Sequence, residues 1–348
     1  MSKPFKIGFI GAGGIARHQM GLIKKIEGAE VVAAADIHEP TLARAREMYQ
    51  IPSLYTDYHE MLREENDIEA VSVCTPNGLH AENTIAALEA GKHVMVEKPM
   101  AMNAREAQKM IDAAKRSGKE LVIGFQYRFG ASSELLRQQV VAGELGNILY
   151  VRCQAMRRRG IPNWGVFGRR DLQGGGPMID IGVHIIECAH YIMGSPRPVA
   201  ATGNTWTYHG NKPSDVRSQW PNWDYTTYDV EDLAVGMIRF ENGAMLTIEA
   251  SFVAHIEKDV FNMQILGEKG GAVWDPPQIY KDHAGYMMNS NPGFLPQIDH
   301  FLMKMKHFVE VCQGKRANEA PGEHGLMVQK ILDGVYASAA AGHEVNIE

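Results

Sequence analysis

Short apolar runs alternate with amphipathic segments over about the first 125 residues of the chain. The runs have the length of buried strands, and the segments between them show the apolar spacing of helices. Strands that alternate with helices form βαβ units, so this part predicts a parallel sheet. The strands are predicted at Lys6–Ile10, Val31–Ala35, Ala70–Cys74, His93–Val96 and Glu120–Phe125. The helices are predicted at about Gly14–Ile26, Thr41–Tyr49, Leu79–Ala90 and Ala104–Ser117.

The pattern changes after Phe125. A helix near Ser132–Ala142 leads to a strand near Ile148–Met156, and another helix is predicted from Pro177 to Met193. The strands that follow are joined by short turns, which favours a mainly antiparallel sheet in an α+β arrangement. They are predicted at Val199–Tyr208, Leu233–Phe240, Met245–Ala254, Val260–Leu266 and Ala272–Tyr280. The chain closes with helices at about Ile298–Gln313 and Glu323–Ala341.

The length of 348 residues fits two domains, because domains usually have about 100–200 residues. The composition is 45% hydrophobic and 22% charged, which is ordinary for a globular protein. The 35 basic and 41 acidic residues give a net charge of −6, which argues against a general nucleic-acid binder. The polar, Trp- and Pro-rich segment Asn211–Tyr228 is either a surface loop or a lid.

No secretory leader and no membrane-spanning run are expected, because the chain passes from its first residues directly into a short apolar strand. The four cysteines are widely spaced and form no CxxC pair, so neither a zinc site nor a disulfide framework is indicated. We expect a cytoplasmic protein with buried reduced thiols, no metal, and no membrane or nucleic-acid partner.

A glycine-rich turn follows the first predicted strand and opens a helix. In that context a G-x-G-x-x-G/A pattern indicates dinucleotide binding. The glycines permit a tight turn and let the backbone approach a pyrophosphate at the helix N-terminus. Cofactor contacts are predicted from Gly11, Ala12, Gly13, Gly14, Ile15 and Ala16.

Asp36 ends the second predicted strand, 22 residues after Gly14. A carboxylate there is placed to bind the adenosine ribose, and it repels a 2′-phosphate. Ile37 and His38 supply no arginine that would hold such a phosphate, so NAD is favoured over NADP. The alternative is a glycine-rich turn of some other α/β protein, with Asp36 as a helix cap.

Asp180 and His184 are four residues apart, so they share one face of the helix predicted at Pro177–Met193. Glu187 and Tyr191 continue this polar stripe, and the rest of the helix is apolar. Buried polar groups need partners, because leaving them unpaired is costly. Two explanations stay open at this point: a cleft that binds substrate, or a core histidine paired with a carboxylate.

Arginines gather around Asn163-Trp164. Arg157 and Arg159 would share one face if the preceding strand continues through them. One interpretation is a substrate pocket, in which arginines bind hydroxyls or an anionic group and Trp164 stacks on a sugar ring. The other is a set of surface ion pairs.

Three further stretches combine with the glycine-rich turn. They are Cys74-Thr75-Pro76-Asn77-Gly78-Leu79-His80, Glu97-Lys98-Pro99 and Asp180-Ile181-Gly182-Val183-His184. Each motif is moderately specific alone, and their order and spacing together are highly specific. With these motifs the chain resembles the glucose–fructose oxidoreductase/inositol dehydrogenase (Gfo/Idh/MocA) family over essentially its whole length.

The resemblance implies an N-terminal Rossmann domain over residues 1–125. It implies a C-terminal α+β domain over residues 126–348 for substrate binding and oligomerisation, with a large open sheet. The closing helices can pack back on the Rossmann domain. Activity on a CH–OH group of a sugar, a polyol such as inositol, or a sugar derivative is implied, in a homodimer or homotetramer formed through the sheet.

The resemblance also assigns roles to residues. Lys98 polarises the reacting hydroxyl, His184 is the general base, and Asp180 binds a substrate hydroxyl or tunes the site. Histidine suits a base because its ordinary pKa of about 6.5 lies near neutrality. Further cofactor contacts are implied for Thr75, Pro76, Asn77, His80, Glu97 and Lys98. Substrate contacts are implied for Tyr127 and Arg128, beside those of Arg157, Arg159 and Trp164.

Two other functions remain compatible with these motifs. One is an NAD-dependent glycoside hydrolase, which oxidises a sugar transiently, eliminates the glycosidic bond and returns the hydride. The other is a non-catalytic NAD-binding regulatory protein, which is disfavoured because Lys98, Asp180 and His184 are all present.

Overall fold

The computed structural model describes residues 3–348, which form two compact units. The first unit runs up to Gln126 and includes Asp299–Leu326, and the second comprises Tyr127–Ile298 and Met327–Glu348. The helices are α1 Gly14–Ile23, α2 Glu39–Tyr49, α3 Tyr58–Glu64, α4 His80–Glu89, α5 Ala104–Ser117, α6 Ala131–Val141, α7 Arg170–Gln173, α8 Val183–Ile192, α9 His300–Cys312 and α10 Gly322–Ala341. The strands are β1 Phe5–Ile10, β2 Ala29–Ala35, β3 Ser53–Tyr55, β4 Ala70–Val73, β5 His93–Val96, β6 Leu121–Ile123, β7 Ile148–Met156, β8 Pro198–Trp206, β9 Leu233–Phe240, β10 Met245–Ser251, β11 Val260–Gly267, β12 Gly270–Val273, β13 Gln278–His283, β14 Tyr286–Ser290 and β15 Val345–Asn346.

The first unit is built on a six-stranded parallel sheet with the order β3-β2-β1-β4-β5-β6. This is the strand order of a dinucleotide-binding Rossmann fold, so the predicted parallel sheet is confirmed. Helix α9 belongs to this unit and packs on α1. Its Met305 and Phe308 are buried in the same core as Ile7 and Phe9 of β1.

Two elements of the first unit escaped prediction. Strand β3 has only three residues, and helix α3 has seven, so neither carries a clear periodic pattern. The start of α3 is fixed locally instead, because the Asp57 carboxylate accepts a hydrogen bond of 2.8 Å from the His59 amide.

The second unit contains a nine-stranded sheet with the order β14-β13-β12-β11-β7-β10-β9-β8-β15. All neighbours pair antiparallel except β7 and β10, which are parallel, so the predicted mainly antiparallel sheet is confirmed. The strand predicted at Ala272–Tyr280 is wrong, because the chain turns there and divides it into β12 and β13.

One face of this sheet carries exposed apolar side chains. Along β9 the residues alternate between buried and exposed, as expected of a sheet packed on one face only. Val235 and Met237 are exposed on β9, and Leu266 is exposed on β11. Within the described chain, no helix is long and apolar enough to cross a membrane.

Candidate active site

The glycine-rich turn joins β1 to α1 in the first unit. Gly11 has a φ of +87°, and a Cβ there would lie 2.8 Å from the carbonyl group of Cys74, so only glycine fits. A Cβ on Gly13 or Gly14 would meet no atom within 4 Å, so space is open beside the backbone. No side chain caps the N-terminus of α1, which leaves its amide groups available to an anion.

Asp36 lies beside this turn. Its two carboxylate oxygens accept hydrogen bonds from the amides of Ala12, at 2.8 Å, and His38, at 2.9 Å. The carboxylate is therefore held in one orientation at the rim of the turn, while Ile37 next to it is 91% exposed. Asp36 does not cap α2, since the N-cap position is His38.

The turn after β4 is tied to the Glu97-Lys98-Pro99 stretch by one histidine. The ring nitrogens of His80 lie 2.9 Å from the Thr75 carbonyl oxygen and 2.8 Å from that of Pro99. Burial lowers the pKa of His80, although both carbonyls favour its charged form. The ring is 1% exposed, so it joins these two turns within the unit.

Glu97 is the centre of a buried polar cluster. Its Oε1 accepts a hydrogen bond of 2.6 Å from Nζ of Lys304 on α9 and one of 2.5 Å from Nε2 of Gln19 on α1. The Oε1 of Gln19 in turn accepts the Ser72 hydroxyl proton at 2.6 Å. Burial alone would raise the pKa of Glu97, but Lys304 outweighs it and the pKa lies below the ordinary value.

Lys98 follows directly, at the carboxyl end of β5. The edge formed by the carboxyl ends of parallel strands is where ligands bind in doubly wound sheets. The Oε2 of Glu97 accepts the Lys98 amide proton at 3.3 Å, so the buried cluster also holds the backbone of Lys98. The roles of Lys304 and Gln19 in this cluster were not predicted, because a lysine or glutamine on a helix does not indicate from sequence alone that it has a buried partner.

In the second unit, Asp180 and His184 lie on two successive helical segments. The single helix predicted at Pro177–Met193 is wrong in detail, because Met178–Gly182 forms a π-helix that runs into α8. Between Met178 and His190 every residue is buried except Asp180 and His184. π-Helical turns often mark functional sites, and here one surrounds Asp180.

A buried carboxylate fixes the start of these segments. The oxygens of Glu231 accept hydrogen bonds from the amide of Gly176 at 2.9 Å and from the Tyr336 hydroxyl at 2.7 Å. A Cβ on Gly176 would lie 2.2 Å from the Glu231 carbonyl oxygen, and one on Gly175 would lie 2.1 Å from the Tyr336 oxygen. These glycines are thus explained by close packing within the unit.

Arg157 lies beside Asp180. One guanidinium nitrogen is 3.9 Å from the Asp180 carboxylate, and the guanidinium carbon is 4.9 Å from the centre of the Trp220 ring. Strand β7 ends at Met156, so the condition on which Arg157 and Arg159 would share a face is not met. Arg159 instead lies 2.6 Å from a ring nitrogen of His209.

The ring of Tyr127 packs edge-on against that of His184, with 5.4 Å between their centres. Arg128 forms an ion pair of 2.7 Å with Glu187, and both side chains are fully buried. Burial raises the pKa of Glu187 to about 7, and Arg128 partly offsets this. The pair accounts for the burial of Glu187 in the polar stripe, and Arg128 is not retained as a substrate contact.

The residues present fit a nicotinamide dinucleotide in the first unit. An uncapped helix N-terminus, open space at Gly13 and Gly14, and an oriented Asp36 are the features such a cofactor needs. No cluster of three or more metal-ligating side chains occurs within residues 3–348.

Two family models match the chain. The oxidoreductase family model for the NAD-binding Rossmann fold matches residues 5–125, and that for the C-terminal alpha/beta domain matches residues 137–347. The chain belongs to the Gfo/Idh/MocA oxidoreductase family. It is therefore an enzyme with an NAD-binding Rossmann domain, as the sequence motifs indicated.

Relatives of known activity match over nearly the whole chain. A D-glucoside 3-dehydrogenase of Escherichia coli is 37% identical, covering 99% of this chain and 98% of the relative. A myo-inositol 2-dehydrogenase of Thermotoga maritima is 28% identical, with 92% of each chain covered. A structure of levoglucosan dehydrogenase in complex with NADH and levoglucosan aligns with a TM-score of 0.82 at 25% identity, covering 99% of each chain.

Proposed function

We propose that this enzyme is an NAD-dependent dehydrogenase that oxidises a CH–OH group of a sugar, with glycosides of glucose as the first substrate class to test. The observation that carries the proposal is that Asp180 and His184 alone are partly exposed on a helical run that is otherwise buried. The 37% identity to a D-glucoside 3-dehydrogenase supports the choice of substrate class.

Each proposed role follows from what an alcohol needs in order to lose hydride. In the bound state NAD supplies the hydride acceptor. Lys98 donates a hydrogen bond to the hydroxyl oxygen and stabilises the negative charge that develops there. His184 takes the hydroxyl proton as general base, and Asp180 accepts a hydrogen bond from a neighbouring hydroxyl.

The cofactor is proposed to lie along the glycine-rich turn. The amides at the start of α1 hold the pyrophosphate, and Asp36 accepts hydrogen bonds from the adenosine ribose. The remaining contacts proposed are those of Ile15, Ala16, Thr75, Pro76, Asn77, His80 and Glu97. His80 and Glu97 act through the turns they hold in place, because both are buried.

A substrate panel tests this function. D-Glucose, its methyl glycosides and myo-inositol are each incubated with NAD and with NADP, and the absorbance of the reduced cofactor is followed. Net reduction that grows with turnover is expected for at least one sugar. Glycoside cleavage without net reduction would instead support the redox-neutral hydrolase, and no reaction with any sugar would contradict the proposal.

Replacing Asp36 tests the preference for NAD. In the variant Asp36→Ser with Ile37→Arg, the carboxylate that repels a 2′-phosphate is lost and a cation that can bind it is added. We expect the ratio of kcat/KM for NADP to that for NAD to rise about 100-fold, since hydrogen bonds to charged groups contribute about 1.5–3 kcal/mol each. The variant Ile37→Ala is the control, and a wild-type preference for NADP would contradict the assignment.

We further propose that the exposed face of the nine-stranded sheet joins copies of the chain into a homodimer or homotetramer. Val235 and Met237 leave apolar surface on that face, and such patches are common at subunit contacts. A monomeric mass by light scattering at micromolar concentration would contradict this.

A further inference from the structure

The segment Asn211–Tyr228 packs against the loop that carries Trp164. The ring of Trp220 meets that of Trp164 edge-on, with 4.7 Å between their centres. The side-chain amide of Asn163 donates a hydrogen bond of 2.7 Å to the Pro221 carbonyl oxygen, and the Trp223 ring nitrogen donates one of 2.7 Å to the Gly210 carbonyl oxygen. The segment is thus anchored within the second unit by its own tryptophans.

A cavity of about 280 Å³ lies between these two loops. We call it the tryptophan pocket, and its walls are the aromatic rings of Trp164, Phe167, Trp223 and Tyr228. Polar and charged side chains also line it, namely those of Asn163, Arg169, Asp224 and Thr227. Trp164 is 49% exposed, which is unusual for so large an apolar ring and leaves its surface available for stacking.

Two side chains, Arg157 and Trp220, link Asp180 to Trp164 in the wall of the pocket. Arg157 lies 3.9 Å from the Asp180 carboxylate on one side, and its guanidinium stacks at 4.9 Å on the Trp220 ring on the other. Trp220 in turn supports Trp164. Trp164 is therefore linked to Asp180 through these two side chains, and we expect a group attached to the sugar at Asp180 to be the part of a ligand that reaches it.

A pyranose ring suits such a pocket. Its axial C–H groups form an apolar face that packs on an aromatic ring, and its hydroxyl groups point outwards to polar side chains at the rim. The volume of the cavity is sufficient for one such ring. Aromatic walls with a few polar groups are the usual composition of small-molecule sites.

We propose that the tryptophan pocket binds the ring attached to the oxidised sugar, so that the enzyme favours glycosides with a second ring over free monosaccharides. This inference rests on the proposed function, because it assumes that Asp180 contacts the sugar that is oxidised. It assigns Trp164 to the second ring and makes Trp220 a positioning residue for Trp164.

The test compares one-ring and two-ring substrates in matched variants. The probes are D-glucose, its phenyl glycosides in both anomeric forms, and two glucose disaccharides, with NAD reduction as the readout. For Trp164→Ala we expect kcat/KM for the two-ring substrates to fall about 10-fold, mainly through KM, while that for D-glucose stays within about twofold. Trp164→Phe should restore most of the loss, because it keeps an aromatic face.

Tyr225→Ala is the matched control, because Tyr225 is an exposed aromatic residue of the same segment that does not line the pocket. Tyr225→Ala should leave kcat/KM unchanged for both one-ring and two-ring substrates. Trp220→Ala should lower the two-ring rates in the same direction as Trp164→Ala.

The possible failures are distinct. If Trp164→Ala lowers the rates on one-ring and two-ring substrates equally, or if the wild-type enzyme prefers D-glucose to every two-ring glucoside, the second-ring pocket is overturned and the dehydrogenase function stands. If no sugar of either class reduces NAD, it is the proposed function that fails.

Discussion

The variant Lys98→Ala should bind NADH normally and turn over its sugar substrate at least about 100- to 1000-fold more slowly than the wild type. Removing one preorganised donor to a developing oxyanion usually costs that factor in kcat. Lys98 lies at the carboxyl end of β5, and its amide is held by the buried Glu97, so truncation of its side chain leaves this support in place. The measurements are kcat from NADH formation and the NADH dissociation constant from fluorescence.

Two controls separate chemistry from folding. Lys109→Ala removes an exposed lysine of α5 and should leave kcat and the thermal midpoint unchanged. Lys98→Arg keeps the charge but changes the geometry of the donors, so it should recover only part of the rate. Turnover of Lys98→Ala within about tenfold of the wild type would refute the role, and a large loss of NADH affinity would make Lys98 a cofactor ligand instead.

The long periodic segments made most of the fold predictable. Leu233–Phe240 is a mostly apolar run between the acidic residue Asp232 and the turn that begins at Glu241, and the strand forms with the predicted ends. The turn that divides β12 from β13 was missed. Strand β15 has only two residues, too few to show a periodic pattern, and it is recognised in the structure by its antiparallel pairing with β8.

The candidate site was predictable to different degrees in the two units. The glycine-rich turn was predictable from the physics of anion binding at a helix start, and the structure leaves the start of α1 without a side-chain cap. The hydrogen bond that Asp36 accepts from the Ala12 amide was not predicted, and the contacts of Asp36 with a cofactor stay a prediction.

The sequence left two explanations open for the polar stripe of α8, a cleft or a core pair. The structure buries Glu187 in an ion pair with Arg128, whereas Asp180 and His184 are partly exposed. Both interpretations need polar residues at helical spacing, and sequence spacing does not report burial.

Because sequence spacing does not show which residues are buried, the burial of Lys304 was not predicted either. In the structure, this buried lysine leads to a specific prediction about stability. Replacing it by Met keeps the aliphatic stem and removes the charge from a site that is fully buried. Glu97 then loses its cationic partner while it remains buried, and breaking a buried pair in this way usually costs about 3–5 kcal/mol. Urea unfolding at neutral pH should show a loss of that size for Lys304→Met.

The loss should depend on pH in a definite direction. In the wild type the pKa of Glu97 in the folded state lies below the ordinary value for glutamate. The ionised carboxylate therefore contributes its full stabilisation when the pH is above that ordinary value, and it loses this contribution as the pH falls through the folded-state pKa. Without Lys304, burial becomes the dominant influence and raises the pKa of Glu97. The variant can then remove its penalty by binding a proton, so its deficit against the wild type should shrink towards pH 4 to 5, roughly the ordinary pKa of glutamate.

Lys306→Met is the matched control, because Lys306 lies on the same helix and forms only a half-exposed pair with Glu310. Lys306→Met should lower the free energy of unfolding by less than about 1 kcal/mol, nearly independently of pH. A deficit for Lys304→Met no larger than that would show that the buried pair adds no net stability.

The double variant Glu97→Gln with Lys304→Met distinguishes two causes of the stability lost in Lys304→Met. One is the loss of the attraction between Lys304 and Glu97, and the other is the unpaired charge that is left buried on Glu97. If the charge is the cause, replacing the carboxylate by an amide should recover most of the stability, since neutral pairs can substitute for buried ion pairs. Because Glu97 also accepts the Lys98 amide proton, kcat should fall in Lys304→Met and recover in part in the double variant. Stability that recovers without any recovery of kcat would mean that Glu97 must be charged to hold Lys98 in place.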